Sequence, residues 1–179
     1  MGMELVFGAD GVLRDGAQEL GRVEPGAEGA HPRLILDGEG YEIARRGRGG
    51  WDFSLLEPSG PGTFCEFKLA RLRRGGVLRA PGGVTRIGTA LAGSSWTVEI
   101  PSQPPITVIG RPERGETVDG RSRVATGSGF HDELLVSCEG ETPTSGEGRI
   151  VLVFACWLIG EWMRMPLAEA GAGGVAVNR

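Results

Sequence analysis

The stretch Ile150-Val-Leu-Val-Phe-Ala-Cys-Trp-Leu-Ile-Gly160 contains no charged residue. Glu161 to Met165 continue it, and Pro166 follows. An apolar run of this length favours a helix over a strand. Proline cannot continue a helix, and it disfavours helical geometry at the residue before it. The sequence therefore predicts one hydrophobic helix over about residues 150–163.

This predicted helix is too short to cross a bilayer and too apolar to lie on a surface. It would span about 21 Å, whereas a bilayer core needs about 20 apolar residues, and Glu161 interrupts the run well before that. A helix that is apolar on every side must be buried all round. In a chain otherwise made of strands, the inside of a closed sheet offers that environment. We predict that Trp157 and Leu158 are nearly fully buried there and face strand residues such as Trp51, Phe53 and Trp96.

The chain before this segment consists of short runs that alternate apolar and polar residues. In one of the clearest, Trp51, Phe53 and Leu55 point one way, while Asp52 and Ser54 point the other. Such alternation indicates strands with one buried face and one wet face. Several short strands at spacings of roughly 8–12 residues favour a barrel or sandwich. The predicted strands are Met3–Phe7, Arg33–Leu36, Tyr41–Arg46, Trp51–Leu56, Thr63–Leu72, Val77–Arg79, Val84–Gly88, Trp96–Ile100, Ile106–Gly110, Arg123–Thr126 and Glu133–Cys138.

Glycine separates these runs. The chain of 179 residues has 32 glycines and 11 prolines, and its hydrophobic content of 40% supports a folded core. Glycine and proline supply the backbone angles that tight turns need. The length fits one domain. We expect a single domain over 1–165 and a glycine- and alanine-rich tail over 166–179.

This order of elements resembles the tubby-like superfamily, which includes phospholipid scramblases and LURP-one-related proteins. The features that carry the resemblance are the strand meander from Met3 to Cys138 and the segment Ile150–Met163, so it covers roughly residues 1–163. The resemblance implies a mainly β fold, a closed antiparallel barrel of about twelve strands around one buried hydrophobic C-terminal helix. No scramblase-type acidic calcium loop is present, and no segment matches tubby's phosphoinositide site residue by residue. No functional residue is therefore transferred from the family.

The charge and the cysteine content limit the binding partners and the cellular compartment that we expect for this chain. The 19 basic residues, of which only Lys68 is a lysine, and 23 acidic residues give a net charge of −4. A nucleic-acid-binding domain is usually clearly basic, so no nucleic-acid partner is expected. The three cysteines (Cys65, Cys138 and Cys156) form no CxxC motif, and an odd number without a leader-like N-terminus fits a reducing compartment. The sequence predicts a cytoplasmic protein, peripheral to a membrane where it binds one.

The usual catalytic signatures are absent from the sequence. There is no P-loop, GxSxG or HExxH motif, and Gly171-Ala-Gly-Gly174 lacks the strand and helix of a phosphate loop. We therefore expect no cofactor, no metal and no assigned catalytic residue. His131-Asp132-Glu133 is the one compact group of a histidine and carboxylates, and a hydrolase using His131 and Asp132 is an alternative. Because neighbouring residues in an extended chain point to opposite sides and converge poorly on one ion, the sequence favours a solvated turn before the strand Leu134–Cys138.

Arginines flank two of the predicted turns. Arg45, Arg46 and Arg48 flank one, and a hairpin of Thr63–Leu72 with Val77–Arg79 would gather four at another. The planar guanidinium fork suits phosphates and carboxylates. This second cluster predicts an anion site, so the chain would be a non-catalytic module that binds an anionic lipid head group or a phosphorylated ligand. A structural or protein-interaction domain without a small-molecule ligand remains the alternative, in which the arginines only solvate a strand end. The residues of the predicted anion site are Arg71, Arg73, Arg74 and Arg79.

Overall fold

A computed structural model of the protein describes residues 3–46, 51–70, 75–89, 95–111, 133–139 and 146–164. The predicted strand Arg123–Thr126 and the predicted tail 166–179 lie outside these residues. Twelve strands and one helix are present in the described part of the chain. They are β1 (Met3–Phe7), β2 (Val12–Asp15), β3 (Gln18–Glu24), β4 (Arg33–Leu36), β5 (Glu39–Arg46), β6 (Asp52–Leu56), β7 (Thr63–Leu69), β8 (Gly75–Ala80), β9 (Gly83–Thr89), β10 (Ser95–Glu99), β11 (Ile106–Arg111), β12 (Glu133–Cys138) and α1 (Gly146–Arg164).

The strands form one closed antiparallel barrel. Each strand pairs with its neighbours in sequence, and the pairing of β1 with β12 closes the sheet. The register of that closing pair runs from Met3 opposite Cys138 to Phe7 opposite Leu134. Closure leaves no unpaired sheet edge. The predicted mainly β fold, a barrel of about twelve strands around a C-terminal helix, is confirmed.

Helix α1 fills the barrel. Every residue from Ile150 to Cys156 is buried, and Leu158 has an exposed fraction of 0%. Seven consecutive buried positions span about two turns, so no face of this part of the helix meets solvent. Trp157 is only half-buried, because it lies near the open end of the barrel, so the predicted near-complete burial was wrong for this residue. No helix in the described residues is long and apolar enough to cross a membrane.

The helix begins at Gly146, four residues before the apolar run. Two polar contacts hold this first turn to the barrel. The Glu147 carboxylate accepts a hydrogen bond from the backbone N–H of Gly82, between β8 and β9. Arg149 donates from both terminal nitrogens to the Asp37 carboxylate, at 2.5 and 3.3 Å, between β4 and β5. An acidic residue in the first turn also favours the helix dipole.

Two strands, β2 and β3, were not predicted from the sequence. Their alternation is broken by a shift of register between Leu13 and Arg14. The inward position of β3 opposite Leu13 is occupied by Gly21 rather than by an apolar side chain. A Cβ at Gly21 would lie 2.9 Å from Val153 of α1 and 2.9 Å from Leu36. The helix thus lies directly against the backbone of β3, and this close approach requires glycine.

Candidate functional site

The predicted hairpin of β7 with β8 is present, and one of the predicted site residues, Arg79, lies within its described part. Strands β7 and β8 pair from Glu66 opposite Arg79 to Leu69 opposite Gly76. Arg79 lies four residues into β8 from Gly75, about 13 Å along the strand. It therefore lies far from the strand ends that flank residues 71–74. The other three predicted site residues, Arg71, Arg73 and Arg74, lie outside the described residues.

All four tryptophans lie at the end of the barrel where α1 ends, which we call the tryptophan rim. Trp157 of the helix meets the ring of Phe53 edge to face, with centroids 5.3 Å apart. The ring of Trp51 also meets the ring of Phe53 edge to face, with centroids 6.1 Å apart. Trp162, one turn further along the helix, stacks on Trp96 at 5.0 Å. Because Phe53 pairs with Phe67, and Phe67 also contacts Trp162 at 5.3 Å, the two groups form one continuous aromatic cluster.

The rim is partly exposed. Trp51, Trp157 and Trp162 are half-buried, whereas Trp96 is only 3% exposed. The indole nitrogens of Trp96 and Trp162 are buried, and neither has a hydrogen-bond acceptor among the residues that the structure describes. Buried indole N–H groups normally have a partner. The rim therefore combines an amphipathic aromatic surface with two unused donors.

Arg45 lies over this aromatic surface. Strand β5 turns Tyr41 and Ile43 inward, and alternation gives Arg45 the same direction at the mouth of the barrel. Its guanidinium carbon lies 5.6 Å from the ring centroid of Trp51 and 5.6 Å from that of Phe53. These are cation–π distances. The two rings hold the guanidinium at the rim.

The guanidinium of Arg45 retains its capacity to bind an anion. The side chain is exposed, and in the described part of the chain no carboxylate forms an ion pair with it. Stacking on an aromatic ring leaves the in-plane N–H donors available. Arg46, the next residue, differs, since its Nε donates to the buried hydroxyl of Ser54 at 3.0 Å on the outer face of the barrel.

The described residues that flank two arginine-bearing segments lie at the tryptophan rim. Arg46 and Trp51 flank residues 47–50, which include Arg48. Ala70 and Gly75 flank residues 71–74, and the Ala70 N–H donates to the Gly75 carbonyl at 2.9 Å. Both pairs of flanking residues lie at the end of the barrel where α1 ends. The predicted arginine turns are therefore connected to the same rim as Arg45.

The opposite end of the barrel holds a half-open cavity of about 170 Å³. Its lining includes Thr85, Pro101, Gln103, Glu147 and Val151. The carboxylate of Glu147 already accepts the Gly82 N–H, so this acid is occupied in fastening the helix. The cavity is a gap between the first turn of α1 and the strand ends around it.

The three cysteines are buried and free. Burial raises the pKa of the Cys65 thiol from 9.0 to about 12, and it raises the pKa of Cys138 and Cys156 above 9.0 as well. A nucleophilic or metal-binding cysteine must be a thiolate. These thiols stay protonated near neutral pH and pack within the core.

The structure leaves the histidine and carboxylate group untested. His131 and Asp132 lie outside the described residues, and only Glu133 of this group begins a described strand. The other histidine, His31, lies 3.9 Å from Glu42 on the surface. Among the described residues, no three histidine, cysteine or carboxylate side chains come close enough to hold a metal ion.

The sequence predicted both the arginine turns and the packing of Trp157 against residues such as Phe53, but it placed these rings in the buried core rather than at a partly exposed rim. The alternation of Tyr41, Ile43 and Arg45 was the available signal, because it aims Arg45 inward among the tryptophans. Comparisons of the chain with protein-family models, with curated proteins and with solved structures find no match.

Proposed function

We propose that the protein is a binding module whose tryptophan rim takes an anionic, phosphate-bearing ligand at a membrane surface. The observation that carries this proposal is Arg45. It is an exposed guanidinium without an ion pair among the described residues, held over Trp51 and Phe53. A guanidinium that is already held in position without a counter-ion favours anion binding. Its side chain loses little conformational entropy when the anion binds.

The aromatic surroundings favour a lipid head group as the source of the phosphate. Tryptophan suits a membrane interface because one part of its ring system is apolar and its N–H is polar. Three half-buried tryptophans beside a cationic side chain suit the region of a membrane where the lipid head groups meet the acyl chains. The helix leaves the barrel interior full, so the ligand would bind at the rim rather than inside.

The expected affinity is low. Each basic residue near an anionic membrane contributes about 1 kcal/mol. Arg45 together with the arginines of 71–74 would give about 3–4 kcal/mol, which corresponds to a millimolar dissociation constant. A chain with net charge −4 gains no general attraction to an anionic surface. Binding should therefore depend on the local cluster and weaken as salt shortens the Debye length.

Sedimentation with vesicles tests this proposal. At low salt the native chain should pellet with phosphatidylcholine vesicles that contain phosphatidylserine, and not with phosphatidylcholine alone. Arg45→Gln and the triple variant Arg71→Ala, Arg73→Ala, Arg74→Ala should both pellet less. Arg22→Gln is the matched control, because it removes the same charge from a guanidinium already bound by Glu19 and Glu24. Equal pelleting of native chain and Arg45→Gln, or no pelleting of either, would contradict the proposal.

A further inference from the structure

The half-open cavity at the end of the barrel where α1 begins has both polar and apolar walls. Its volume of about 170 Å³ is enough for a small organic molecule, since an apolar cavity of similar size binds benzene in another protein. The apolar part of the lining includes Ile100, Pro101 and Val151. The side chains that bring an oxygen atom to the lining are Thr85 of β9, Gln103 and Glu147 of α1.

Thr85 brings a buried hydroxyl group to this cavity. Its neighbours along β9, Val84 and Arg86, are exposed, whereas Thr85 is only 1% exposed. Ser54, the other buried polar side chain in the described residues, accepts a hydrogen bond from Arg46. The Thr85 side chain forms no hydrogen bond with any residue that the structure describes. Because an unpaired buried hydroxyl destabilises a folded protein, this position is suited to a partner from outside the chain.

Glu147 brings a negative charge to the same cavity. Its carboxylate accepts the Gly82 N–H, which uses one of about four acceptor positions of a carboxylate. Among the described residues, no basic side chain forms an ion pair with Glu147, and Arg149 on the same helix is already paired with Asp37. The residues that line the cavity include no lysine, arginine or histidine. The lining therefore carries a negative charge that it does not neutralise.

We propose that this cavity binds a primary ammonium group carried on a short carbon chain. An ammonium group has three N–H donors and no acceptor. The carboxylate of Glu147, the hydroxyl of Thr85 and the side-chain oxygen of Gln103 are three acceptors, and the carboxylate also supplies the opposite charge. The Gln103 side chain, like that of Thr85, forms no hydrogen bond with a described residue. The carbon chain of the ligand would lie against the apolar part of the lining.

The charge of the cavity favours a cation over an anion. The positive end of a helix dipole corresponds to about half an elementary charge, whereas Glu147 carries a full negative charge in the first turn of α1. An anionic ligand would be repelled by this carboxylate, and a neutral alcohol of the same shape would leave its charge without a partner. The cavity lies at the opposite end of the barrel from the tryptophan rim, so this inference does not depend on the proposed function.

A titration with n-butylammonium chloride, followed by NMR of the backbone amides, tests this inference. The amide signals of Gly82, Gly83 and Gly148, which line the cavity, should shift and saturate in the millimolar range. Equal concentrations of sodium chloride, butan-1-ol or sodium butyrate should cause much smaller shifts, because none of these supplies an ammonium group.

Two variants test the proposed acceptors. Glu147→Gln removes the charge but keeps a carbonyl oxygen for the Gly82 N–H, and it should weaken binding about fivefold, the effect of one partly exposed ion pair. Thr85→Val removes the hydroxyl with little change of shape and should weaken binding about two- to fivefold. Because the hydroxyl loses no partner in the chain, Thr85→Val should melt no lower than the native protein. The control Glu4→Gln removes an exposed carboxylate from the outer face of β1 and should leave binding unchanged.

The absence of a saturable shift at the cavity, or equal shifts with butylammonium and butan-1-ol, would overturn the inference. Unchanged binding by both Glu147→Gln and Thr85→Val would also overturn it. A peptide with blocked ends and one lysine distinguishes the two sources of the same ammonium group. Tighter binding of butylammonium than of this peptide would assign the cavity to free amines, and tighter binding of the peptide would assign it to a lysine side chain of a partner.

Discussion

Leu158 shows what a single residue contributes to this fold. It lies on the enclosed part of α1 and has an exposed fraction of 0%. Leu158→Ala should lower the free energy of unfolding by about 2–5 kcal/mol, because it removes buried methyl groups and leaves a cavity. Chemical denaturation measures this directly. Ile109→Ala, at a position 40% exposed on the outer face, should cost well under that amount. Equal effects of the two changes would show that the helix is not enclosed.

Because the thiols are buried, the free energy of unfolding should decrease as the pH becomes alkaline. The pKa of Cys65 is 9.0 unfolded and about 12 folded, because burial disfavours the thiolate. The folded state thus holds its proton more tightly. The stabilisation that the protonated Cys65 thiol gives to the folded state is fully present below pH 9. It is lost as the pH rises through 9 towards 12. The free energy of unfolding should fall by up to about 1.4 kcal/mol per pH unit for this thiol.

Denaturant titrations from about pH 8 to about pH 11 would measure this decline. Cys65→Ala should be less stable at neutral pH and should show a shallower dependence on alkaline pH than the native chain. A dependence as steep as that of the native chain would mean that Cys65 ionises as easily folded as unfolded.

At the scale of elements, the contact of α1 with β3 depends on one glycine. A Cβ at Gly21 would lie 2.9 Å from Val153, so Gly21→Ala must push the helix or the strand. We expect a loss of about 1–3 kcal/mol in unfolding free energy, as for other overpacked cores. Gly88→Ala on β9 is the control, because a Cβ there meets nothing within 4 Å. Equal melting temperatures for the two variants would show that α1 does not approach the backbone of β3 this closely.

The contact of α1 with β3 explains which elements could be predicted from the sequence and which could not. The helix was predictable because its whole surface is apolar, and β6 and β10 were predictable because their inward positions hold large apolar residues. Strand β3 was not, since Gly21 takes an inward position and the helix supplies the missing volume. The turn Asp37-Gly38 between β4 and β5 has residue types typical of a two-residue hairpin turn, and both residues have positive φ, at 50° and 84°.

The candidate site was only partly predictable for a similar reason. The arginines were visible as clusters in the sequence, but their distribution around the barrel depends on register. Pairing with Glu66 and Val84 places Arg79 on the outer wall of the barrel, away from the strand ends that flank residues 71–74. Trp51 directly precedes β6, Trp96 lies on β10 and the other two tryptophans lie on the helix, and only closure of the barrel brings them to one rim.

At the scale of the whole molecule, the two ends of the barrel differ. One end fastens the helix through Arg149 to Asp37 and Glu147 to Gly82. The other end exposes the tryptophan rim with Arg45. Because the interior is filled, binding surfaces are confined to the rims and the outer wall.

Tryptophan fluorescence during vesicle titration tests the central proposal most directly, because all four tryptophans lie at the proposed binding rim. Addition of phosphatidylserine vesicles at low salt should shift the emission of the native chain to shorter wavelength as the half-buried indoles leave water. Phosphatidylcholine vesicles should cause no shift, and Arg45→Gln should reduce the shift obtained with phosphatidylserine. An unchanged spectrum from a chain that nevertheless pellets with the same vesicles would place binding elsewhere and contradict the assignment of the tryptophan rim.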